Sequence, residues 1–233
     1  LHTVQLAGYS SRVRVSPDGR YGATTTFVNG DSYADAGFST RTSIIDLRKG
    51  DVLFDLEKLD VTKDGEHFTA VDFNFWGVTF ADDGHTFYAT LGSGGETYLI
   101  RGNILTRRAT VLRSGVECPS LSPDGTRIAY KARNGGATIT WHLAVLDLAT
   151  MDDHPLSESQ NVDDQAEWLD NDTVAYGLPK DPAEAGSVEN ATPGVPVAGR
   201  ASIQTDVWTV PADGGGRAEK LLDGAWSTVV PRG

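Results

Sequence analysis

One cysteine stands in 233 residues, and that scarcity excludes an intramolecular disulfide framework and any zinc site built on several cysteines. Long apolar runs are missing too. None approaches the roughly 18 to 20 residues of a membrane span, and long, strongly periodic helices are likewise absent. Positive charge is in short supply: 20 Lys and Arg stand against 32 Asp and Glu, a formal net charge of −12. A general nucleic-acid or anionic-membrane binder needs a basic surface, so neither class fits. Acidity itself serves solubility first; its sharper reading is a cation or a basic protein partner.

What the chain has is a repeat. Val15-Ser16-Pro17-Asp18-Gly19-Arg20-Tyr21-Gly22-Ala23 returns as Phe80-Ala81-Asp82-Asp83-Gly84-His85-Thr86-Phe87-Tyr88-Ala89. It returns again as Leu121-Ser122-Pro123-Asp124-Gly125-Thr126-Arg127-Ile128-Ala129-Tyr130, and as Trp168-Leu169-Asp170-Asn171-Asp172-Thr173-Val174-Ala175-Tyr176, one residue shorter at the turn. Each copy is an apolar strand end, a tight turn and a second strand of small and aromatic residues. Val15, Phe80, Leu121 and Trp168 stand 65, 41 and 47 residues apart. A four-stranded propeller blade takes roughly 40 to 50 residues. With 26 Gly and 10 Pro to supply turns, the expected fold is an all-β propeller of four visible four-stranded antiparallel blades, forming a single domain over residues 1–233.

The four strands of each blade parse as residues 12–16, 21–27, 41–47 and 52–56; then 77–80, 86–90, 96–102 and 109–113. The third blade takes 119–122, 127–131, 141–148 and 153–158, and the fourth takes 166–169, 173–177, 205–211 and 217–222. Third strands share a signature, as in Ile44-Ile45-Asp46-Leu47 and Val145-Leu146-Asp147-Leu148, with the period-two alternation of packed strands. Residues 2–6 read as the outer strand of a partial blade, and 226–230 as an inner strand beyond the fourth. Unpaired strand edges invite aggregation, so these ends point either to part of a larger ring of six blades or to a compact ring closed by both tails.

The Ser-Pro-Asp-Gly turn, followed by a small and aromatic strand and a later Val-Leu-Asp-Leu, resembles the repeat of the TolB-like propeller family (a WD-like repeat). Residues 121–130 with 143–148 carry the likeness best. It covers most of the chain and specifies an architecture, not a reaction. The resemblance implies an extracytoplasmic protein (periplasmic, secreted or at the cell surface) that acts by binding other proteins. The same repeat occurs in the gating propellers of prolyl oligopeptidase-like hydrolases.

No catalytic motif competes. Gly30-Asp31-Ser32-Tyr33-Ala34 lacks the last glycine of a nucleophile elbow and the helix that should follow it. The five histidines are dispersed over different strands and turns. No cofactor is expected; Ca2+ is the one alternative, through Asp31, Asp35 and Asp163-Asp164, which lack a regular calcium-loop pattern. Gly92-Ser93-Gly94-Gly95 and Asp213-Gly214-Gly215-Gly216 read as hairpin turns. Residues 179–204, rich in Pro, Ala, Gly and Val, read as a loop interrupting the fourth blade.

In a propeller, the connections between blades share one face with the loops between second and third strands, around the central channel. That face receives Asp31, Tyr33, Asp35, Asn74, Trp76, Glu117, Asp163, Asp164 and Gln165. Carboxylates and aromatics there suit recognition of a protein or peptide. Trp76 with Phe73 and Phe75 fits a core plug equally well. The expected function is therefore non-catalytic binding of a protein or peptide partner, with a propeller hydrolase or lyase, or a gating propeller, as the alternative.

Overall fold

The computed structural model describes residues 3, 4, 6, 9–28, 39–136, 139–180 and 205–225. Among them the chain is all-β apart from one turn of 3-10 helix, Leu56–Lys58. No helix among the described residues is long and apolar enough to cross a membrane.

Four antiparallel blades follow one another. The first is β1 (Tyr9–Val15), β2 (Tyr21–Phe27), β3 (Thr40–Asp46) and β4 (Asp51–Asp55), in that spatial order. A hairpin, β5 (Asp60–Lys63) and β6 (Glu66–Phe68), precedes the second blade of β7 (Asn74–Phe80), β8 (Thr86–Ser93), β9 (Glu96–Asn103) and β10 (Arg108–Ser114). The third is β11 (Glu117–Leu121), β12 (Arg127–Arg133), β13 (Trp141–Asp147) and β14 (Asp153–Pro155). The fourth is β15 (Glu167–Trp168), β16 (Thr173–Pro179), β17 (Thr205–Pro211) and β18 (Glu219–Ala225).

The repeated turn is a hydrogen-bonding device. Ser16 Oγ donates to Asp18 Oδ1 at 2.6 Å and accepts from Tyr21 N at 2.8 Å, while Asp18 Oδ1 also accepts from Arg20 N at 3.0 Å. Ser122 and Asp124 reproduce it, with Ser122 Oγ to Asp124 Oδ1 at 2.6 Å and Arg127 N to Ser122 Oγ at 3.0 Å. In the second blade Ala81 replaces the serine, and Asp83 Oδ1 reaches Thr86 N directly at 2.7 Å. Gly19, Gly84 and Gly125 hold φ of 65°, 74° and 72°, the left-handed conformation these turns require.

The strand reading survives with shifted ends. The outer strand of the third blade stops at Pro155 instead of 158, because Leu156 turns inward and is buried. The first strand of the fourth blade shortens to Glu167–Trp168, and the last slides to Glu219–Ala225. Of residues 2–6, Thr3, Val4 and Leu6 are described and belong to no strand, so the expected outer strand is not seen there. Residues 226–230 and 181–204 lie outside the described residues.

One element goes beyond that reading. Residues 57–76, left without a strand by the sequence pattern, fold 60–68 into the β5–β6 hairpin. Lys63 faces Glu66 across Asp64-Gly65, and both turn residues have positive φ, 54° and 84°. Those values mark the two-residue hairpin turn that Asp-Gly favours. β5 then pairs in parallel with β10, making the sheet order β6-β5-β10-β9-β8-β7 and covering the outer edge of the second blade.

The chain divides into two compact units, Leu1–Pro119 and Ser120–Gly233. In the first, Tyr21, Ala23, Ile44 and Phe54 of the first blade share a core with Phe75, Phe80, Phe87 and Ala109 of the second. In the other, Ala129, Leu143 and Val145 pack with Trp168, Val174, Tyr176 and Val210. Glycines permit close approaches within the first unit. A Cβ at Gly77 (φ 64°) would lie 2.7 Å from Cys118 Cα, and one at Gly102 would lie 2.1 Å from the Phe87 ring. Phe87 and Gly102 are cross-strand partners, so the ring lies over bare backbone.

Candidate functional site

Asp163, Asp164 and Gln165 come together in the eleven-residue connection between β14 and β15, residues 156–166. Two apolar residues anchor it: Leu156 and Val162 are buried in the core of the second unit. Their amides bond to the edge of β13, Leu156 N to Leu143 O at 2.8 Å and Val162 N to Trp141 O at 3.2 Å. Asn161 Oδ1 returns a bond from Trp141 N at 2.8 Å. Leu156 and Val162 thus bracket a loop whose backbone is tied down at both ends.

Its acidic side chains divide by role. Glu158, nearly buried, accepts from Gln160 N at 2.7 Å and from the Tyr176 hydroxyl. Burial, reinforced by that carboxylate, pushes the Tyr176 hydroxyl far above its usual range. Asp164 Oδ1 accepts from Gln165 N and Oδ2 from Gly177 N, each at 2.9 Å, so it staples the loop to β16. Gln165 is buried. Asp163 is different: its carboxylate is 60% exposed and accepts from Lys131 Nζ, whose side chain is only 6% exposed. The same ammonium lies 4.4 Å from the centre of the Trp141 ring. The indole Nε1 of Trp141 is buried without a hydrogen-bond partner.

The first unit holds three more candidates. Asn74 Oδ1 accepts from Thr40 N at 2.9 Å, while Thr40 Oγ1 donates to Phe75 O at 3.0 Å, so Asn74 ties β7 to β3. Trp76 is 4% exposed and packs over Gly92, where a Cβ would lie 2.8 Å from the ring. Glu117 opens β11 and is buried. Phe75 is fully buried, and Phe73 meets it edge-on at 6.0 Å, continuing to Phe68 and Tyr98. The aromatic run, with Phe73 just before β7 and Phe75 and Trp76 within it, is therefore packed into the blade. Asp31, Tyr33 and Asp35 lie outside the described residues, as does Ser32.

One notable group escaped the sequence reading. The Glu57 carboxylate accepts from Thr42 N, at 3.0 Å through Oε1 and 3.3 Å through Oε2. It takes the place of a backbone partner where β4 has ended and β3 continues. Burial raises its pKa from 4.5 to about 7, Asp55 adds repulsion, and the Thr42 amide and Arg41 work against the rise. No motif announces it, since Glu57 sits in an ordinary Asp-Leu-Glu-Lys run.

Among the described residues no three His, Cys, Asp or Glu side chains gather as metal ligands. The described histidines each serve locally. His67 contacts Asp60, His85 contacts Asp83, His142 contacts Asn134 and His154 contacts Ala212 O.

No family model matches the chain, and no curated protein does. Solved structures do. Putative TolB from Agrobacterium tumefaciens aligns over 96% of this chain and 70% of its own, at 14% identity and a TM-score of 0.61. TolB from Acinetobacter baumannii aligns over 91% of this chain and 44% of its own, at 14% identity and a TM-score of 0.56. A puromycin-hydrolyzing peptidase from Mycobacterium tuberculosis aligns over 94% of this chain and 29% of its own, at 15% identity and a TM-score of 0.57. The chain thus spans less than half of one TolB and under a third of the peptidase. Its fold is that of a TolB-like β-propeller.

Proposed function

We propose that the chain binds a protein or peptide through the face carrying its inter-blade connections, without chemistry of its own, in an extracytoplasmic setting. The supporting observation is the loop 156–166, pinned through Leu156, Asn161, Val162 and Asp164 while Asp163 stays exposed. A loop already ordered loses little entropy on binding, and an exposed carboxylate favours a basic segment. Buried Gln165 supports this loop from within. Asp31, Tyr33, Asp35, Asn74, Trp76 and Glu117 are proposed as binding residues of the first unit, taken by itself.

The test must separate recognition from stability. Asp164 holds Gly177 N and Asp83 holds Thr86 N, so reversing either charge reports on folding. Neutralising Asp163 (Asp163→Asn) keeps an acceptor for Lys131 but removes the counter-charge of that nearly buried ammonium. Binding is therefore compared at a temperature well below the variant's measured melting point. Asp82→Asn, an exposed carboxylate in the β7–β8 turn, is the control. Peptides selected by phage display against the wild-type chain should be rich in Lys and Arg. They should bind Asp163→Asn about five-fold or more weakly at low salt, a loss of about 1 kcal/mol. Added salt should narrow that difference. Equal binding to Asp163→Asn, or equal loss in Asp82→Asn, refutes the assignment.

A second reading draws on the likeness to the mycobacterial peptidase: a propeller that gates a hydrolase domain elsewhere in the polypeptide. Peptidase activity in the protein expressed from its complete gene, lost without a separate hydrolase domain, favours that reading.

A further inference from the structure

Positive charge gathers in one stretch of this acidic chain. Residues 97–116 hold four arginines and no Asp or Glu, although acidic residues outnumber basic ones by 32 to 20 overall. The stretch forms β9 and β10, the two central strands of the six-stranded sheet of the first unit. Three of the arginines are engaged. Arg107 Nη2 donates to Leu53 O at 3.3 Å, its guanidinium 5.3 Å from the centre of the Phe54 ring. Arg108 Nε lies 3.5 Å from Asp60 Oδ2, and Arg113 Nε donates to Ser114 O at 3.5 Å. Arg101 is exposed, and among the described residues its guanidinium has neither a hydrogen bond nor an ion pair.

Cross-strand register sets donors on both sides of it. Arg101 faces Tyr88 of β8 and Thr110 of β10, Thr110 faces Thr62 of β5, and Thr62 faces His67 of β6. Directly opposite residues share a face of the sheet, so the five side chains form one row. The alternate residues Phe87, Ile100, Ala109 and Val61 are buried in the core shared with the first blade, which places the row on the other face. Every side chain in the row can donate a hydrogen bond, and none is acidic. The two threonine hydroxyls stand 3.1 Å apart, and His67 Nδ1 lies 3.1 Å from Asp60 Oδ1.

An exposed arginine alone is only a solvated charge, and Tyr88 makes the difference. It is 7% exposed, yet its hydroxyl has no hydrogen-bond partner among the described residues. Buried polar groups nearly always have one, so a phenol left over beside an unpaired guanidinium points to an acceptor from outside the chain. Burial raises the pKa of this hydroxyl above its usual value, Arg101 lowers it and Asp83 adds to the rise, so it stays a protonated donor. Asp83 itself is occupied, its Oδ1 accepting from His85 N at 3.0 Å and Thr86 N at 2.7 Å.

We propose that Tyr88, Arg101 and Thr110 bind a carboxylate, presented by an acidic peptide segment lying across this face of the sheet. The arginine fork matches the two carboxylate oxygens, and the two hydroxyls can fill their remaining lone pairs from either side. One uncompensated positive charge balances one carboxylate. A phosphate dianion would leave negative charge unbalanced beside Asp60 and Asp83. The site takes the charge opposite to that favoured by Asp163 and stands independently of that reading.

Fluorescence anisotropy of a rhodamine-labelled, end-capped peptide of alternating Glu and Gly tests it, with the protein expressed from its complete gene. Arg101→Gln should weaken binding by about five-fold or more. Lys49→Gln, the same change in charge at an exposed position of the first blade, should leave it within about two-fold. Tyr88→Phe should weaken binding by about three-fold without lowering the melting temperature, because its hydroxyl has no partner in the chain to lose. The proposal is overturned by a peptide that does not bind, by equal losses in Arg101→Gln and Lys49→Gln, or by a Tyr88→Phe variant that binds like the parent or melts well below it. It is overturned too if inorganic phosphate displaces the peptide at concentrations where acetate does not, which assigns the row to a phosphate group.

Discussion

Within each unit the chain must travel from the outer strand of one blade to the inner strand of the next, and the two units do this differently. Between β4 and β7 eighteen residues, 56–73, are available; between β14 and β15 there are eleven. The longer path satisfies its backbone with backbone: β5 and β6 pair with each other, and β5 joins β10. The shorter path has no strand and relies on side chains, with Glu158, Asn161 and Asp164 accepting main-chain amides. Buried peptide groups need partners either way. Much of the acidity of the short connection is scaffold, and Asp163 is the carboxylate it leaves exposed. A sum of carboxylates on that face overstates the field available to a partner.

The largest effect is expected at Glu158 and its partner Tyr176. Tyr176→Phe should cost about 2–3 kcal/mol in urea unfolding, because a nearly buried carboxylate loses a hydroxyl donor. Glu158→Gln placed in the same chain should recover part of that loss; if Tyr176→Phe melts like the parent, the short loop is not held by this pair. In the longer connection the corresponding weight lies in packing. Phe68 touches Phe73 and Tyr98, and Lys63 Nζ sits 5.4 Å from its ring centre. Phe68→Ala should cost about 2 kcal/mol for this partly buried ring. Hydrogen exchange should quicken in β5 and β6 and stay unchanged in β12 and β13.

Glu57 sharpens the contrast through pH. Its carboxyl binds a proton more tightly in the folded chain, at about 7, than at its ordinary 4.5. Stability from this group is therefore greatest below about 4.5 and declines as pH rises through 7. Glu57→Gln keeps an acceptor for Thr42 N and removes the titration. It should flatten the decline and raise stability at pH 8 by about 1 kcal/mol. A variant whose melting temperature follows pH as the parent's does contradicts this. The smallest effect is expected at His67, exposed and paired with Asp60. His67→Ala should change stability by less than about 0.5 kcal/mol, and a larger loss shows that the hairpin depends on its surface charges.

The blade strands were legible because their signals are local. Asp18-Gly19, Asp83-Gly84 and Asp124-Gly125 mark turns through glycine's positive φ, and alternation marks the strands they join. The same signal was present at Asp64-Gly65 between Val61-Thr62 and His67-Phe68, and there a hairpin could have been read as well. Its parallel pairing with β10 could not, since Asp60 and Arg108 meet across 48 positions of sequence. The candidate site was legible as a place: Asp163, Asp164 and Gln165 do lie in an inter-blade connection. The division of labour among them was not, because adjacent aspartates differ only in which atoms of β12 and β16 they meet.

The repeat, the all-β class, the turns and nearly all blade strands follow from the order of amino acids, since each depends on conformational preferences within a few residues. Tertiary structure alone decided that Glu57 completes a strand edge, that Trp76 and Gln165 are buried, and that Val15 stands exposed where Phe80, Leu121 and Trp168 do not. Those outcomes turn on which distant surface arrives against a residue, and burial is a property of that meeting and not of the residue.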